Sequence, residues 1–102
     1  MSITTTESPD GAQVTIQISG RFDFAMHQDF SKAYKQYPKG EKAYRVDLAD
    51  AEYMDSSAMG MLLQLREYSN KEAGGVILAN GNEGVREILR IANFDRLFSM
   101  EQ

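Results

Sequence analysis

The sequence predicts an α/β fold, in which helices pack on a small mixed β-sheet in the order β-β-α-β-α-β-α-β. Apolar residues alternate with polar ones near the N-terminus, as in strands, and recur at spacings of three and four further along, as in helices. Beyond the first two strands, short apolar runs alternate with these helical segments. Such alternation implies parallel strands joined by right-handed crossovers.

The N-terminal part is predicted to form an antiparallel hairpin. Residues 3–7 are a threonine-rich strand, and residues 14–19 alternate apolar and polar side chains. Between them, residues 8–11 read Ser-Pro-Asp-Gly, in which proline presets φ and glycine accepts positive φ. Residues 20–24 are predicted to form a connecting loop.

The first and second helices are predicted from apolar periodicity and from the residues that end them. The apolar face of the first helix comprises Met26, Phe30, Ala33, Tyr34 and Tyr37. Residues 38–40, Pro-Lys-Gly, end that helix, and residues 44–48 are the next strand. The second helix is expected over residues 56–72 and is closed by the glycines at 74–75.

The C-terminal part adds two strands and one helix. Residues 76–79 are a continuous apolar run, as in a buried strand, and Asn82 is a suitable helix N-cap. The apolar face of the third helix comprises Val85, Ile88, Leu89 and Ala92. Residues 97–100 are predicted to be a short last strand.

Composition narrows the range of functions. The chain of 102 residues is expected to be one domain, residues 1–102, and it has no cysteine, which excludes disulfides, thiolate metal sites and cysteine nucleophiles. A net charge of -4 argues against binding nucleic acid. No apolar run approaches the ~18 residues that span a bilayer, and residues 1–7 do not resemble a signal peptide. We therefore expect a cytoplasmic protein without a cofactor or a membrane association.

The start of the second helix is the most informative segment. Asp55, Ser56 and Ser57 follow the strand at 44–48 and open the helix. Unpaired N–H groups and a partial positive charge make a helix N-terminus suited to an anion. The serines are therefore either capping residues or a phosphorylation site, and Asp55 is the expected N-cap, with a second possible role in orienting Ser56 or in holding a metal brought by a partner.

The second helix has too many apolar residues for one stripe. The side chains predicted to cover the sheet are Ala58, Met61, Leu62, Leu65 and Tyr68. Met59 and Leu63 then point elsewhere. Either a neighbouring element covers them or they form an apolar patch for a partner protein, and Met59 is the better candidate because it lies one turn from the serines.

Several segments together resemble one protein family. Residues 55–63, Asp-Ser-Ser-Ala-Met-Gly-Met-Leu-Leu, resemble the phosphoacceptor motif of bacterial anti-sigma factor antagonists, which are stand-alone STAS domains. Residues 20–23, Gly-Arg-Phe-Asp, resemble that family's Gly-x-x-Asp loop, and residues 74–78, Gly-Gly-Val-Ile-Leu, its Gly-Gly strand entry. Residues 85–94 resemble the following helix and loop, so the resemblance covers nearly the whole chain.

The resemblance implies a role for each of these residues. In that family the first serine after the aspartate, here Ser56, is phosphorylated by a partner kinase that is itself often the anti-sigma factor, and a PP2C-type phosphatase reverses the modification. The unphosphorylated form binds the anti-sigma factor and frees the sigma factor. Asp23 is then a partner-contact residue as well as a turn former. Asp55, Ser57, Met59 and Leu63 are the other expected partner-binding residues.

The chain departs from the family pattern in two places. Ala58 stands where the family often has glycine, and its methyl group could obstruct the approach of a partner. The family also often has a C-terminal helix after the last strand, which is expected to be truncated or absent here. The resemblance leaves open a second function, a constitutive scaffold subunit of a transport ATPase complex or of a stress-sensing particle, and we expect a monomer or weak dimer.

The single histidine and the remaining carboxylates are interpreted as ordinary surface residues. His27, the only histidine, is expected to be a surface residue of the first helix. Asp47, Asp50 and Glu52 lie close to Asp55 in sequence but lack the spacing of a calcium loop, and we interpret them as solvated carboxylates.

Overall fold

A computed structural model describes residues 2–101 and has the predicted order of strands and helices. The strands are β1 (Ser2–Glu7), β2 (Gln13–Phe22), β3 (Ala43–Met54), β4 (Val76–Ala79) and β5 (Ser99–Glu101). The helices are α1 (His27–Lys35), α2 (Ser56–Tyr68) and α3 (Glu83–Ile91). The terminal residues 1 and 102 of the expected domain lie outside the described part of the chain.

The strands form a single five-stranded sheet in the order β1-β2-β3-β4-β5. β1 pairs with β2 in antiparallel fashion, which confirms the predicted hairpin, and the remaining pairs are parallel. Right-handed connections between successive parallel neighbours place α1, α2 and α3 on the same face of the sheet. We call this the covered face and the other the open face.

The hydrophobic core lies between the covered face and the helices. Alternate residues of β2 from Val14 to Phe22 are buried, and the buried residues of strands and helices belong to one cluster. The open face is polar. There, the Thr4 hydroxyl donates to Oε1 of Gln17, and Nε2 of Gln17 donates to Oδ2 of Asp50, both at 3.4 Å. The period-two pattern of the sequence thus decides which side of the sheet the helices cover.

The predicted apolar faces of the helices are confirmed. In α2, Ala58, Leu62 and Leu65 are fully buried, Met61 is 4% exposed, and Tyr68 packs partly buried against the same core. In α1, Phe30, Ala33 and Tyr34 are buried, as predicted. Met26 is buried in the 3-10 turn that precedes α1, and Tyr37 packs against the core beyond the end of α1 at Lys35, so the predicted helix was too long at its C-terminal end.

Two strands are longer than predicted. β2 continues to Phe22, so residues 20–22 are strand rather than loop, and β3 continues beyond Leu48 to Met54. The register shifts between Gln17 and Ser19 and again between Gly20 and Arg21. These irregularities let Asp50, Ala51 and Tyr53 stay paired with β2. Ala51 and Met54 remain buried, which periodicity alone does not indicate.

α2 ends four residues earlier than predicted, at Tyr68 rather than residue 72. The Ser69 hydroxyl donates to the Arg66 carbonyl at 2.7 Å, and the backbone of Ser69 is extended. The Asn70 side chain then caps a separate 3-10 turn, Lys71–Ala73, by accepting from two backbone N–H groups. Ser and Asn side chains compete with helical hydrogen bonds in this way.

The C-terminal strand is also shorter than predicted, since β5 begins at Ser99 rather than at residue 97. The Phe98 N–H donates to the Phe94 carbonyl, which keeps residue 98 in the preceding turn. β5 reaches Glu101 and is the last element within residues 2–101. Leu97 and Met100 are 42% and 40% exposed at this edge.

Candidate functional site

Two aspartates lie side by side at one edge of the sheet. Phe22 of β2 pairs with Met54 of β3 in parallel, so the next residues, Asp23 and Asp55, emerge together at the carboxyl end of the sheet. Each has an extended backbone and caps the helical turn that follows it. The parallel register therefore brings together two residues that are 32 positions apart in the sequence.

Asp55 is the N-cap of α2, as expected. Its Oδ1 accepts the Ala58 N–H at 3.0 Å and the Ser57 hydroxyl at 2.6 Å. These two hydrogen bonds, the Ser57 one above all, hold the pKa of the Asp55 carboxyl below its usual value. Asp55 is consequently ionised at neutral pH and places a fixed negative charge beside Ser56.

The two serines differ in their environments. Ser56 is the first residue of α2 and is exposed, whereas Ser57 is half-buried and its hydroxyl is engaged by Asp55. Ser56 therefore presents the accessible hydroxyl, at a helix end where N–H groups are unpaired. Ala58 is fully buried, so its methyl group faces the core and does not obstruct the approach of a partner.

Asp23 is held by contacts on both sides. Its carboxylate accepts the Ala25 N–H at 3.0 Å and lies 3.7 Å from Nε of Arg21. The Arg21 guanidinium lies 4.4 Å from the centre of the Tyr53 ring, directly across the parallel pair of strands. Arg21 thus contacts both Asp23 and the Tyr53 ring. Sequence reasoning missed Arg21 and Tyr53 because residues 20–22 and 49–53 were not recognised as strand.

An exposed aromatic side chain lies next to Asp23. Phe24 is 68% exposed and stacks on the His27 imidazole, with ring centres 5.2 Å apart. His27 is half-buried at the start of α1, so it supports Phe24 as well as forming part of the surface. A phenylalanine within the residues taken as a loop was the available signal for this feature.

Met59 and Leu63 differ in exposure. Met59 is half-buried against the core, whereas Leu63 is 39% exposed. Both side chains lie on the face of α2 that begins at Ser56, because residues three, four and seven apart share a face. Leu63 is therefore the more exposed of the two apolar side chains, and Met59 as the better partner contact stays a prediction.

The acidic residues near Asp55 do not converge. Asp47 accepts the Ala49 N–H and the Asn80 amide, and Asp50 faces Gln17 on the open face. Within residues 2–101, the structure contains no group of three or more His, Cys, Asp or Glu arranged to hold a metal ion. In the same part of the chain, no helix has the length and apolar content needed to cross a membrane.

Replacing Asp55 by alanine is expected to lower the free energy of unfolding by about 1 kcal/mol, because the Ala58 N–H loses its cap. Asp55→Asn retains a neutral acceptor and is the matched control. The stability contributed by the carboxylate charge is present above the unfolded-state pKa and disappears as pH falls through the lower folded-state pKa. Urea unfolding at neutral and at acidic pH measures both effects. An Asp55→Ala protein as stable as the native chain at neutral pH would contradict the capping role.

Comparison with known proteins identifies the family of this chain. A family model described as Mlab, STAS domain, matches residues 5–100. A STAS-domain-containing protein of Pseudomonas aeruginosa strain UCBPP-PA14 is 50% identical over 100 residues, which cover 98% of this chain and 99% of that protein.

Solved structures show the same fold at lower identity. A Thermotoga maritima protein assigned as an anti-sigma factor antagonist superposes with a TM-score of 0.82 at 21% identity, covering 98% of this chain and 86% of that one. The anti-sigma factor antagonist SpoIIAA in its unphosphorylated form has a TM-score of 0.65 at 20% identity, covering 99% and 88%. SpoIIAA of Bacillus in its phosphorylated form has a TM-score of 0.63 at 20% identity, covering 99% and 92%. With its family match spanning nearly every described residue, this chain belongs to the STAS-domain family.

Proposed function

We propose that this chain is a phosphorylation-controlled binding protein of the anti-sigma factor antagonist type. Its unphosphorylated form binds an anti-sigma factor that has serine kinase activity. Phosphorylation of Ser56 releases the anti-sigma factor, and this exchange regulates transcription. The observation that supports this most directly is the exposed position of Ser56 at the start of α2, next to a Ser57 whose hydroxyl is already engaged.

The electrostatics of the site suit such a mechanism. A phosphate adds about -1.5 to -2 charges and three acceptor oxygens. The N-terminus of α2 accommodates the added charge, so the fold is retained. The modified residue would nevertheless stand beside the ionised Asp55 and near Asp23, and a partner surface fitted to a neutral hydroxyl would face a concentrated negative charge.

The docking surface proposed for the anti-sigma factor surrounds Ser56. We assign to it Asp23, Asp55, Ser57, Met59 and Leu63, and we add Phe24 because its side chain is exposed. The kinase and a PP2C-type phosphatase act on Ser56 in trans, and the protein itself has no catalytic role. We place this exchange in the cytoplasm, where sigma factors act.

Mass spectrometry of the intact chain after incubation with the cognate kinase and ATP tests the assignment. We expect one phosphate on Ser56, no phosphate on Ser56→Ala, and unchanged phosphorylation of the matched Ser57→Ala control. Phosphate found only at other residues would contradict the proposal. Failure of the kinase partner to modify any residue, together with stable co-purification in a larger assembly, would instead favour the constitutive scaffold function.

A further inference from the structure

An open groove runs between α1 and α2, on the helical side of the molecule. Its volume is about 510 Å³, and its lining includes Tyr34, Tyr68 and Leu63. The two tyrosine rings meet edge to face, with centres 5.0 Å apart, and the Tyr68 hydroxyl donates to the Tyr37 carbonyl. The groove therefore has a fixed aromatic floor beside the exposed side chain of Leu63.

The walls of the groove are basic although the chain as a whole is acidic. Lys35 and Lys39 line it, both are exposed, and neither forms an ion pair with any residue between 2 and 101. The acidic lining residue, Glu67, is already paired with Lys71 at 2.7 Å. The lining carries two lysines and one carboxylate that is paired with a lysine outside the lining, so the groove is a local positive site in a chain of net charge -4.

The groove is continuous with the surface around Ser56. Ser56, Met59 and Leu63 lie on one face of α2, and the rise of 1.5 Å per residue places Leu63 about 10 Å along the helix from Ser56. The groove therefore lies on the same side of α2 as Ser56, at the end of that face away from it.

We propose that this groove binds an acidic amphipathic helix of a protein partner. The apolar face of that helix packs on Leu63 and the tyrosine floor, and its carboxylates pair with Lys35 and Lys39, in the helix-in-groove mode of recognition. A concave channel with one exposed leucine fits a helix better than a flat lipid surface does. The inference rests on the proposed function in that it adds the groove to the docking surface around Ser56. Binding in the groove itself does not require a free Ser56 hydroxyl.

The probe is a synthetic amphipathic peptide of about 18 residues, or five helical turns, with leucines on one face and glutamates elsewhere. A peptide with lysine in place of each glutamate is the control ligand, and anionic lipid vesicles are the second control. Titration of the full chain, followed by amide NMR, is expected to show shifts at Lys35, Lys39, Leu63 and Gln64 with the acidic peptide only.

Charge-reversal variants test the basic walls. Lys35→Glu combined with Lys39→Glu is expected to weaken acidic-peptide binding about tenfold, a loss of ~1.4 kcal/mol. Lys32→Glu combined with Arg96→Glu makes the same change in net charge at exposed residues outside the groove lining and is expected to change the affinity less than twofold. Phosphorylation of Ser56 is expected to leave peptide binding within about twofold, because the peptide contacts the far end of the face.

Three results would overturn the groove assignment: no shifts with the acidic peptide, equal binding of the lysine peptide, or shifts at these residues with vesicles in place of the peptide. If they occur while Ser56 phosphorylation still releases the anti-sigma factor, the groove inference fails and the proposed function stands. If the peptide binds as expected but Ser56 is never phosphorylated, the groove inference stands and the proposed function fails.

Discussion

Phosphorylating Ser56 is expected to weaken binding of the anti-sigma factor about a hundredfold, or ~2.8 kcal/mol. Leaving a charge buried and unpaired at an interface costs several kcal/mol, and here the new charge lies beside the ionised Asp55. The Ser56 side chain is exposed before the partner binds, so the whole cost falls on the complex rather than on the free protein. Isothermal titration of the phosphorylated and unphosphorylated chains measures the difference.

Two variants separate the effect of Ser56 from that of its neighbour. Ser56→Ala, treated with kinase and ATP in the same way, is expected to keep the affinity of the unphosphorylated chain. Ser57→Ala still loses affinity on phosphorylation, although it also loses the 2.6 Å hydrogen bond to Asp55 and is slightly less stable. Release of Ser56→Ala by the kinase would show that the switch lies at another residue.

Replacing Leu62 by alanine is expected to lower the free energy of unfolding by about 3 kcal/mol, because it leaves a cavity under α2. Leu62 is fully buried in the cluster that joins α2 to the sheet. Its neighbour Leu63 is 39% exposed, and Leu63→Ala is expected to cost less than about 1 kcal/mol. Thermal and urea unfolding of the pair measure both values.

The adjacent leucines also separate stability from binding. Leu63→Ala is expected to weaken partner binding while leaving the fold intact, since Leu63 lies on the proposed docking face. Equal loss of stability in the two variants would show that α2 packs in a different orientation.

Periodicity and helix-boundary chemistry predicted most of the fold. The apolar spacing of Ala58, Leu62 and Leu65 identified the buried face of α2, and the aspartate before two serines identified its first turn. These features depend on residues close together in the sequence, and local pattern is sufficient for them. The bounds of β4 were predicted correctly for the same reason.

The surroundings of Ser56 depend on strand register, which local pattern does not report. Arg21 faces Tyr53 because β2 and β3 remain paired through two register shifts. A one-residue change in pairing turns every side chain to the other face, so their contact requires the folded sheet. The exposed stacking of Phe24 on His27 likewise became apparent only from the structure.

The difference between the two serines is also a three-dimensional feature. The family resemblance pointed to Ser56 as the acceptor and favoured a structural hydroxyl for Ser57, with an alternative acceptor left open, but the local sequence contained no physical reason for the difference. The Ser57 hydroxyl is engaged by the Asp55 carboxylate, while Ser56 projects from the first position of α2. Side-chain hydrogen bonding at a cap thus supplies a physical distinction between adjacent residues of the same type.

One titration series addresses the central claim most directly. The affinity of a single preparation for the anti-sigma factor is measured before phosphorylation, after stoichiometric phosphorylation of Ser56, and again after treatment with a PP2C-type phosphatase. We predict tight binding, a loss of about a hundredfold, and full recovery. Affinities that agree within about twofold in all three states would contradict the proposal that a phosphate at the start of α2 controls docking.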